Sequence, residues 1–214
     1  TPAVDVIDPE TGHIKFGTDW KQLSGKQGYT QGGMFEAPNG DKFYIKFSTS
    51  ADQAKSEVLS RKLYQAAGLE TLDTRLVDLP GGKLGVGSKF QDIKSDLKKR
   101  IDENDEEFLA QVRDSFAVHA WLANWDAIGN GDVPWSNIVT GPDGKPLHVD
   151  QGGSLDFHGT GKHNSGKFPE AVSEWEGLRN PGVNSYSAAI FKGMSDEDLQ
   201  ESANRVLSIN YEKI

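Results

Sequence analysis

Two carboxylates and one carboxamide follow one another in the second half of the chain, at positions where their side chains could bind metal and phosphate. Asp126 ends an apolar helical pattern, Asn137 enters a short apolar strand, and Asp150 opens a Gly-Gly turn. Carboxylate and amide oxygens are hard ligands, and they suit Mg²⁺ or Mn²⁺ beside phosphate oxygens. This order predicts phosphoryl transfer, in which Asp126 aligns the acceptor while Asn137 and Asp150 bind the metal.

A short hairpin is expected to bring the two predicted metal ligands together. The short strand candidates Ile138-Val139 and Leu147-His148-Val149 flank the turn Pro142-Asp143-Gly144. Pairing of these strands would deliver Asn137 and Asp150 to one end of a cleft. The alternative role for Asp150 is a turn or capping residue before the two glycines, which is common for Asp.

The first half of the chain has three features that could bind the phosphates of a nucleotide. The run Gly28-Tyr29-Thr30-Gln31-Gly32-Gly33 lies in the first turn between predicted strands, where glycines let backbone N–H groups surround phosphate oxygens. Lys46 lies in an otherwise apolar strand, and Glu57 follows in the next helix. Either residue alone could be solvated, but together they predict an ion pair that positions phosphates.

The elements that must position these residues change in type along the chain. Residues 13–48 read as strands and turns, with a strong hairpin signal at Asn39-Gly40. Residues 50–67 predict a helix that Ser50 caps and Gly68 ends. The remaining predictions are strands at 74–78 and 84–90, a charged segment at 92–107, a long helix at 105–124, a glycine-rich loop at 151–167, and helices near 168–178, 186–192 and 196–208. The sequence therefore predicts an α+β fold.

This combination resembles the protein-kinase-like superfamily in its compact, atypical form, which includes phosphoinositide-type kinases and small kinase domains of bacterial effectors, toxins and phage-associated proteins. The resemblance covers about residues 25–156 and is strongest at 119–156, where Asn124-Trp125-Asp126 resembles the opening of a catalytic loop. It implies two lobes: an antiparallel-sheet N-lobe with one helix at 1–91, and a reduced, mostly helical C-lobe at 92–214. ATP and Mg²⁺ (or Mn²⁺) would be the cofactors.

The resemblance also assigns roles to individual residues. The glycine-rich run would cover the triphosphate, Lys46 would contact it, and Glu57 would hold Lys46. The hinge would be Gly87-Ser88-Lys89-Phe90-Gln91, with backbone groups offered to adenine. Departures are the absence of His-Arg-Asp, Asp-Phe-Gly and Ala-Pro-Glu motifs, with Asp150-Gln151-Gly152 in place of the second. These departures bear on substrate binding and regulation more than on ATP binding.

Asp132 is the alternative to Asp126 as the acceptor-aligning residue. In the phosphoinositide-type relatives the metal-binding Asn follows the catalytic Asp after five positions, whereas Asn137 lies eleven positions beyond Asp126. Asp126 would therefore need an insertion, Gly129-Asn130-Gly131, while Asp132 has the five-position spacing. We favour Asp126 because a helix can hold it rigidly, whereas Asp132 lies in a Gly/Pro-rich stretch typical of turns.

The expected activity is phosphorylation of hydroxyls on a protein substrate by a bacterial effector- or toxin-type kinase. The short C-lobe would leave an open cleft that a folded partner could reach. The alternatives are a lipid or small-molecule kinase, a kinase-fold enzyme that transfers AMP, and a nucleotide-binding pseudokinase. Retention of Lys46, Asp126, Asn137 and Asp150 argues against the pseudokinase.

Composition excludes several other classes of protein. The net charge of −9 disfavours a general grip on nucleic acid, and no apolar run approaches a membrane span of ~18 residues or more. The absence of Cys excludes disulfides, thiolate zinc sites and cysteine nucleophiles. The five histidines show no metal-ligand spacing, and His119 is expected to be a packed or capping residue.

Because the chain begins at Thr1, we expect an excised domain or processed product. We also expect a monomer that acts in the cytoplasm, alternatively after secretion or translocation within a larger protein.

Overall fold

The computed structural model describes residues 5–26, 30–48, 50–129, 134–158, 162, 172 and 174–214. Its first half is a curled, mainly antiparallel sheet with one helix, and its second half is mostly helical. The predicted α+β fold is therefore confirmed. Two of the residues proposed from the sequence, Gly28 and Asp132, lie outside the described residues.

The N-terminal sheet has six strands in the order β1-β5-β6-β4-β3-β2, and only β1 and β5 pair in parallel. Alternate residues point inward, so that Phe35, Phe43 and Ile45 are buried in one cluster. The predicted Asn39-Gly40 hairpin joins β3 to β4, and Gly40 adopts the left-handed conformation (φ 88°) that the turn requires. The strands are β1 Ile14–Lys15, β2 Lys21–Ser24, β3 Gly32–Glu36, β4 Lys42–Lys46, β5 Thr74–Leu79 and β6 Lys83–Lys89.

Helix α1, Ala51–Ala66, carries Glu57 and packs on β5 and β6. Its start and end follow the local sequence signals. The Ser50 hydroxyl accepts a hydrogen bond from the Gln53 N–H at 3.1 Å, which satisfies one of the free donors of the first turn. Gly68 ends the helix with a left-handed φ of 77°.

The second half is built from short helices around a three-stranded antiparallel sheet. The sheet has the order β7-β8-β9, and the β8–β9 hairpin is the one predicted from the sequence. Helix α2 was not predicted; Asp96 caps it, and Leu97 on its first turn is fully buried. The elements are β7 Ser95–Asp96, α2 Leu97–Asp102, α3 Glu106–Arg113, α4 Phe116–Trp121, β8 Ile138–Thr140, β9 Pro146–His148, α5 Glu174–Gly177, α6 Ser185–Phe191, α7 Asp196–Leu207 and a 3₁₀ turn Tyr211–Lys213.

The prediction of one long helix at 105–124 is wrong, because α3 and α4 are separate helices. The break lies at Ser115, whose hydroxyl donates to the Val112 carbonyl at 2.6 Å and so competes with the helical backbone. After the break, the Ala117 N–H donates to the Ser202 hydroxyl of α7 at 2.7 Å. A contact between residues far apart in sequence therefore replaces a helical hydrogen bond.

A hydrophobic cluster joins α1 to the helices of the second half. Leu63 and Tyr64 of α1 pack with Val118 and Leu122 from α4 and its C-terminal end, and with Ile209 after α7. A larger cluster around Phe116 and other buried residues forms the core of the helical half. None of the helices in the described part of the chain has the length and apolar character needed to cross a membrane.

Candidate functional site

A cavity of about 440 Å³ lies between the N-terminal sheet and the β8–β9 hairpin. Its size is in the range of small-molecule sites, which are roughly 300–1,000 Å³. Both halves of the chain contribute to it, so the two halves meet at this cavity. The lining residues are Met34, Tyr44, Lys46, Leu72, Ser88, Lys89, Phe90, Gln91, Ile93, Ser136, Asn137, Val149 and Asp150.

Lys46 is the central charged residue of this cavity. It is the last residue of β4, and its Nζ lies 2.8 Å from Glu57 Oε1 and 2.9 Å from Asp150 Oδ1. The side chains of Lys46 and Glu57 are 15% and 6% exposed, while that of Asp150 is 40% exposed. The structure therefore brings together the strand lysine, the helix glutamate and the Gly-Gly aspartate that the sequence proposed separately.

Burial and charge act in opposite directions on these three groups. Burial lowers the pKa of Lys46, but the attraction of Asp150 and Glu57 outweighs it and raises that pKa above 10.5. Burial, with the nearby Asp150 charge, raises the pKa of Glu57 despite Lys46. Burial would also raise the pKa of Asp150, but Lys46 and the Gly152 N–H lower it below its usual range. Asp150 is thus the group that stays ionised most readily, at the exposed edge of the cluster.

Asp126 follows α4 in a tight turn. Ala123 has a left-handed φ of 51°, and the Trp125 N–H donates to the Ala123 carbonyl at 3.0 Å. The Asn137 Nδ2 donates to the backbone carbonyl of Asp126 at 2.6 Å. The proposed acceptor-aligning residue and one proposed metal ligand therefore lie against each other.

The β8–β9 hairpin places Asn137 beside the strand that leads to Asp150. The Val149 N–H donates to the Asn137 carbonyl at 3.0 Å, and both Asn137 and Asp150 line the cavity. Asp150 Oδ1 accepts from Lys46 and from the Gly152 N–H at 2.9 Å, and no hydrogen bond to Oδ2 comes from the described residues.

A divalent cation fits these donors. The hydrogen bond from Asn137 Nδ2 to Asp126 fixes the amide, and its oxygen, Oδ1, accepts from the Ser136 hydroxyl at 3.1 Å, which leaves one lone pair for a metal. Asn137 Oδ1 and Asp150 Oδ2 are both hard oxygen atoms of the kind that Mg²⁺ prefers as ligands. Among the described residues, no group of three or more His, Cys, Asp and Glu side chains could hold a metal by itself. Phosphate and water oxygens would have to complete the coordination.

The glycine-rich run continues directly into β3. Thr30 is half-buried and Gln31 is exposed, whereas Gly32 and Gly33 are buried within the strand. A Cβ on Gly32 would lie 2.1 Å from the Ile45 carbonyl oxygen, and one on Gly33 would lie 2.3 Å from that of Ser24. Close strand packing thus already requires both glycines. Gly32 pairs with Lys46 in the sheet, so this backbone does approach the charged cluster.

The backbone groups of the predicted hinge are partly occupied. The Lys89 N–H donates to the Asp73 carbonyl at 2.9 Å, and the Phe90 N–H donates to the Lys42 carbonyl at 2.8 Å. Because these two N–H groups are already bonded, other backbone groups of the segment would have to contact adenine, and the hinge assignment stays a prediction. Gln91 is the first residue beyond β6 whose backbone N–H has no such partner among the described residues, and it lines the cavity.

A buried polar network supports the turn that carries Asp126, and the sequence did not reveal it. Asn124 Nδ2 donates to the Tyr64 hydroxyl at 2.8 Å, which lies 2.7 Å from His119 Nδ1. The other ring nitrogen of His119 lies 2.9 Å from the Ser115 hydroxyl. Because that hydroxyl donates to a carbonyl, the network is consistent with a neutral imidazole that is protonated on Nε2. His119 is a packed residue, as predicted, and Ser115–His119 at i, i+4 was its only local signal.

Burial determines the charge state of this network. It lowers the pKa of His119 well below 6.5, with a further contribution from His148, whose ring centroid lies 5.3 Å away. It also raises the pKa of the Tyr64 hydroxyl above 10. Both groups are therefore neutral at physiological pH, so the network orients Asn124 without placing a charge behind the turn.

The fold is similar to that of a solved bacterial kinase. The crystal structure of the Helicobacter pylori proinflammatory kinase CtkA matches with a TM-score of 0.58 and 14% sequence identity, over 94% of this chain and 84% of that one. No protein-family model matches the sequence. No curated protein matches it either. At this identity the similarity establishes the fold alone, and the chain therefore has a kinase-like fold.

Proposed function

We propose that this protein is an ATP- and Mg²⁺-dependent phosphotransferase, a kinase that transfers the γ-phosphoryl group of ATP to a hydroxyl. The observation that carries the proposal is the position of Lys46 Nζ, 2.8 Å from Glu57 and 2.9 Å from Asp150. Lys46 and Asp150 line a cavity of suitable size together with Asn137, and Glu57 pairs with Lys46. The kinase-like fold of the whole chain supports the same activity.

Lys46 would neutralise the α- and β-phosphates, and Glu57 would hold its ammonium group in place. The raised pKa of Lys46 keeps that group charged at neutral pH. The contact between Lys46 and Asp150 would be exchanged for a contact with phosphate, because both groups have stronger partners once the nucleotide is bound.

Asn137 and Asp150 would hold Mg²⁺ through their oxygens. When bound, the cation neutralises charge on the β- and γ-phosphates. Asp126 would align the acceptor hydroxyl and take its proton while the acceptor oxygen bonds to the γ-phosphorus. The bond from that phosphorus to the β–γ bridging oxygen breaks, and ADP leaves. Catalysis would rest mainly on positioning and electrostatics.

The acceptor is proposed to be a hydroxyl of a protein. In the described part of the chain, the only elements that follow β9 are α5, α6, α7 and the final 3₁₀ turn. We take this small helical part as support for a cleft that a folded partner can reach. We also propose an effector-type role and action in the cytoplasm; CtkA, whose fold is similar, is described as a proinflammatory kinase.

Labelled ATP tests this proposal directly. The protein would be incubated with γ-labelled or α-labelled ATP, Mg²⁺ or Mn²⁺, and a cell lysate as acceptor pool. We expect label from γ-ATP alone, and loss of it in Asp150→Ala. The matched control is Asp143→Ala, because Asp143 caps the exposed β8–β9 turn through a 3.0 Å hydrogen bond from the Lys145 N–H.

The other outcomes each identify a different function. Label from α-ATP would indicate AMP transfer and refute the kinase. Label in lipid or small-molecule fractions would refute the protein acceptor. Metal-dependent ATP binding without label in any fraction would identify a nucleotide-binding module.

A further inference from the structure

Asn184 connects the C-terminal helices to the turn that carries Asp126. Its side chain is buried, with 4% exposure, and Nδ2 donates to the backbone carbonyl of Trp125 at 2.7 Å. Trp125 directly precedes Asp126. The contact therefore reaches the predicted catalytic turn from an element 59 residues further along the chain.

The other end of the Asn184 side chain is also fixed. Asn184 is the N-cap of α6, and its Oδ1 accepts a hydrogen bond from the Ser187 N–H at 3.0 Å. Helix α6 in turn buries Ile190 and Phe191 in the main core of the helical half. Because both ends of the amide are bonded, its position relative to Trp125 is set by the core rather than by solvent.

Three carboxamides hold the segment Asn124–Asp126, one at each residue. Asn124 donates its own side-chain N–H to Tyr64, Asn184 donates to the Trp125 carbonyl, and Asn137 donates to the Asp126 carbonyl. The segment follows Ala123, whose left-handed backbone is unfavourable for an L-residue. A strained turn needs such external bonds to keep one conformation.

We propose that Asn184 is a positioning residue that fixes the Asp126 carboxylate for the reaction. The inference rests on the proposed phosphotransferase function. Asn184 does not line the cavity; it acts through the backbone of Trp125. Misplacement of a catalytic group by about 1 Å can cost about 100-fold in rate. Loss of this anchor should therefore lower kcat by about 10- to 100-fold, with little change in the KM for ATP.

Two substitutions separate this anchoring from the capping of α6. Asn184→Asp has the same shape and still caps the helix, but it places an oxygen against the Trp125 carbonyl. Asn184→Ser also caps the helix and adds no charge, so it keeps the test valid should the aspartate variant fail to fold. The control is Ser195→Ala, which removes the cap of α7, where the Ser195 hydroxyl accepts from the Asp198 N–H at 3.1 Å.

Steady-state kinetics give the first readout. We expect both Asn184 variants to lose kcat while the KM for ATP stays within about twofold, and Ser195→Ala to lose thermal stability with kcat unchanged. A kcat at the wild-type level in Asn184→Ser, or a loss confined to KM, would overturn the proposal.

Hydrogen exchange of the peptide spanning 123–129 gives a second readout that needs no turnover. We expect faster exchange there in Asn184→Ser than in wild type or Ser195→Ala. If the wild type transfers no phosphate but this difference is seen, the proposed function fails and the anchoring of the turn stands. If exchange is the same in all three proteins, the anchoring itself is refuted, whatever the activity.

Discussion

Gly152 lies against both carboxylates of the cluster of Lys46, Glu57 and Asp150, and a single methyl group added there tests the geometry of the site. A Cβ on Gly152 would lie 3.0 Å from Glu57 Oε2 and 3.1 Å from Asp150 Oδ1. Ordinary van der Waals contact begins at 3.4 Å, so the two carboxylates would have to move by about 0.3 to 0.4 Å in Gly152→Ala. The backbone of Gly152 is not left-handed, so the substitution adds no strain of its own.

The displaced carboxylates are the two that bracket Lys46. Their hydrogen bonds to Nζ are 2.8 and 2.9 Å long, and Asp150 Oδ1 also accepts from the Gly152 N–H. Overpacking of this kind lowers the free energy of unfolding by about 1–3 kcal/mol. We expect the Kd of Mg²⁺-ATP to rise by about tenfold, which corresponds to ~1.4 kcal/mol.

Isothermal titration of Mg²⁺-ATP measures this effect without any acceptor. The control is Gly193→Ala, because no atom lies within 4 Å of the added Cβ and the backbone there is also not left-handed. If Gly152→Ala binds Mg²⁺-ATP as tightly as Gly193→Ala, the two carboxylates do not hold the lysine and cation in a fixed arrangement. The assignment of Lys46, Glu57 and Asp150 to one nucleotide site would then be refuted.

Two further predictions concern the buried network behind the Asp126 turn. Tyr64→Phe leaves Asn124 Nδ2 and His119 Nδ1 without their partner, so we expect the free energy of unfolding to fall by about 1–3 kcal/mol in urea denaturation. The control is Tyr211→Phe, because Tyr211 is exposed and its substitution should leave that free energy unchanged. Acid should also destabilise the fold, because the unfolded chain binds a proton at His119 below pH 6.5 that the folded chain excludes. The stabilisation that comes from a neutral, buried His119 is complete above pH 6.5 and is lost as the pH falls toward the pKa of His119 in the folded chain. An equally steep loss of stability in His119→Asn would contradict this account.

Local sequence signals predicted the elements of the first half because each signal lies within the element that it specifies. Asn39-Gly40 determines its hairpin through one backbone conformation, and Ser50 and Gly68 bound α1 through a cap and a left-handed end. The long helix at 105–124 was predicted wrongly for the opposite reason. The break between α3 and α4 involves a hydrogen bond from the Ala117 N–H to the hydroxyl of Ser202, which lies 85 residues further along the chain.

The candidate site was predictable to the extent that its residues follow one another in a fixed order. Lys46, Asn137 and Asp150 line the cavity because strand and hairpin place them there, and helix α1 places Glu57 against Lys46. The sequence did not reveal that the N–H groups of Lys89 and Phe90 are bonded to the Asp73 and Lys42 carbonyls, because these contacts lie beyond the predicted ends of the strands. The sequence did not single out Asn184. An asparagine that only caps a helix and one that also donates a hydrogen bond to a distant backbone carbonyl look the same in the sequence.

Helix α1 contacts both Lys46 and the helix that precedes Asp126, so its packing links two parts of the candidate site. Its first half presents Glu57 to Lys46, while Leu63 and Tyr64 in its second half are buried against α4. At its C-terminus, the Ala67 carbonyl accepts from Arg205 Nη1 at 3.2 Å, and Arg205 also pairs with Asp114. Moving Glu57 away from Lys46 by rotating this helix would therefore expose apolar surface, at roughly 25 cal/mol per Å², and break the hydrogen bond between Asn124 and Tyr64. Because one rigid helix joins Glu57 to the turn of Asp126, the ion pair and that turn are expected to form together as part of the folded core.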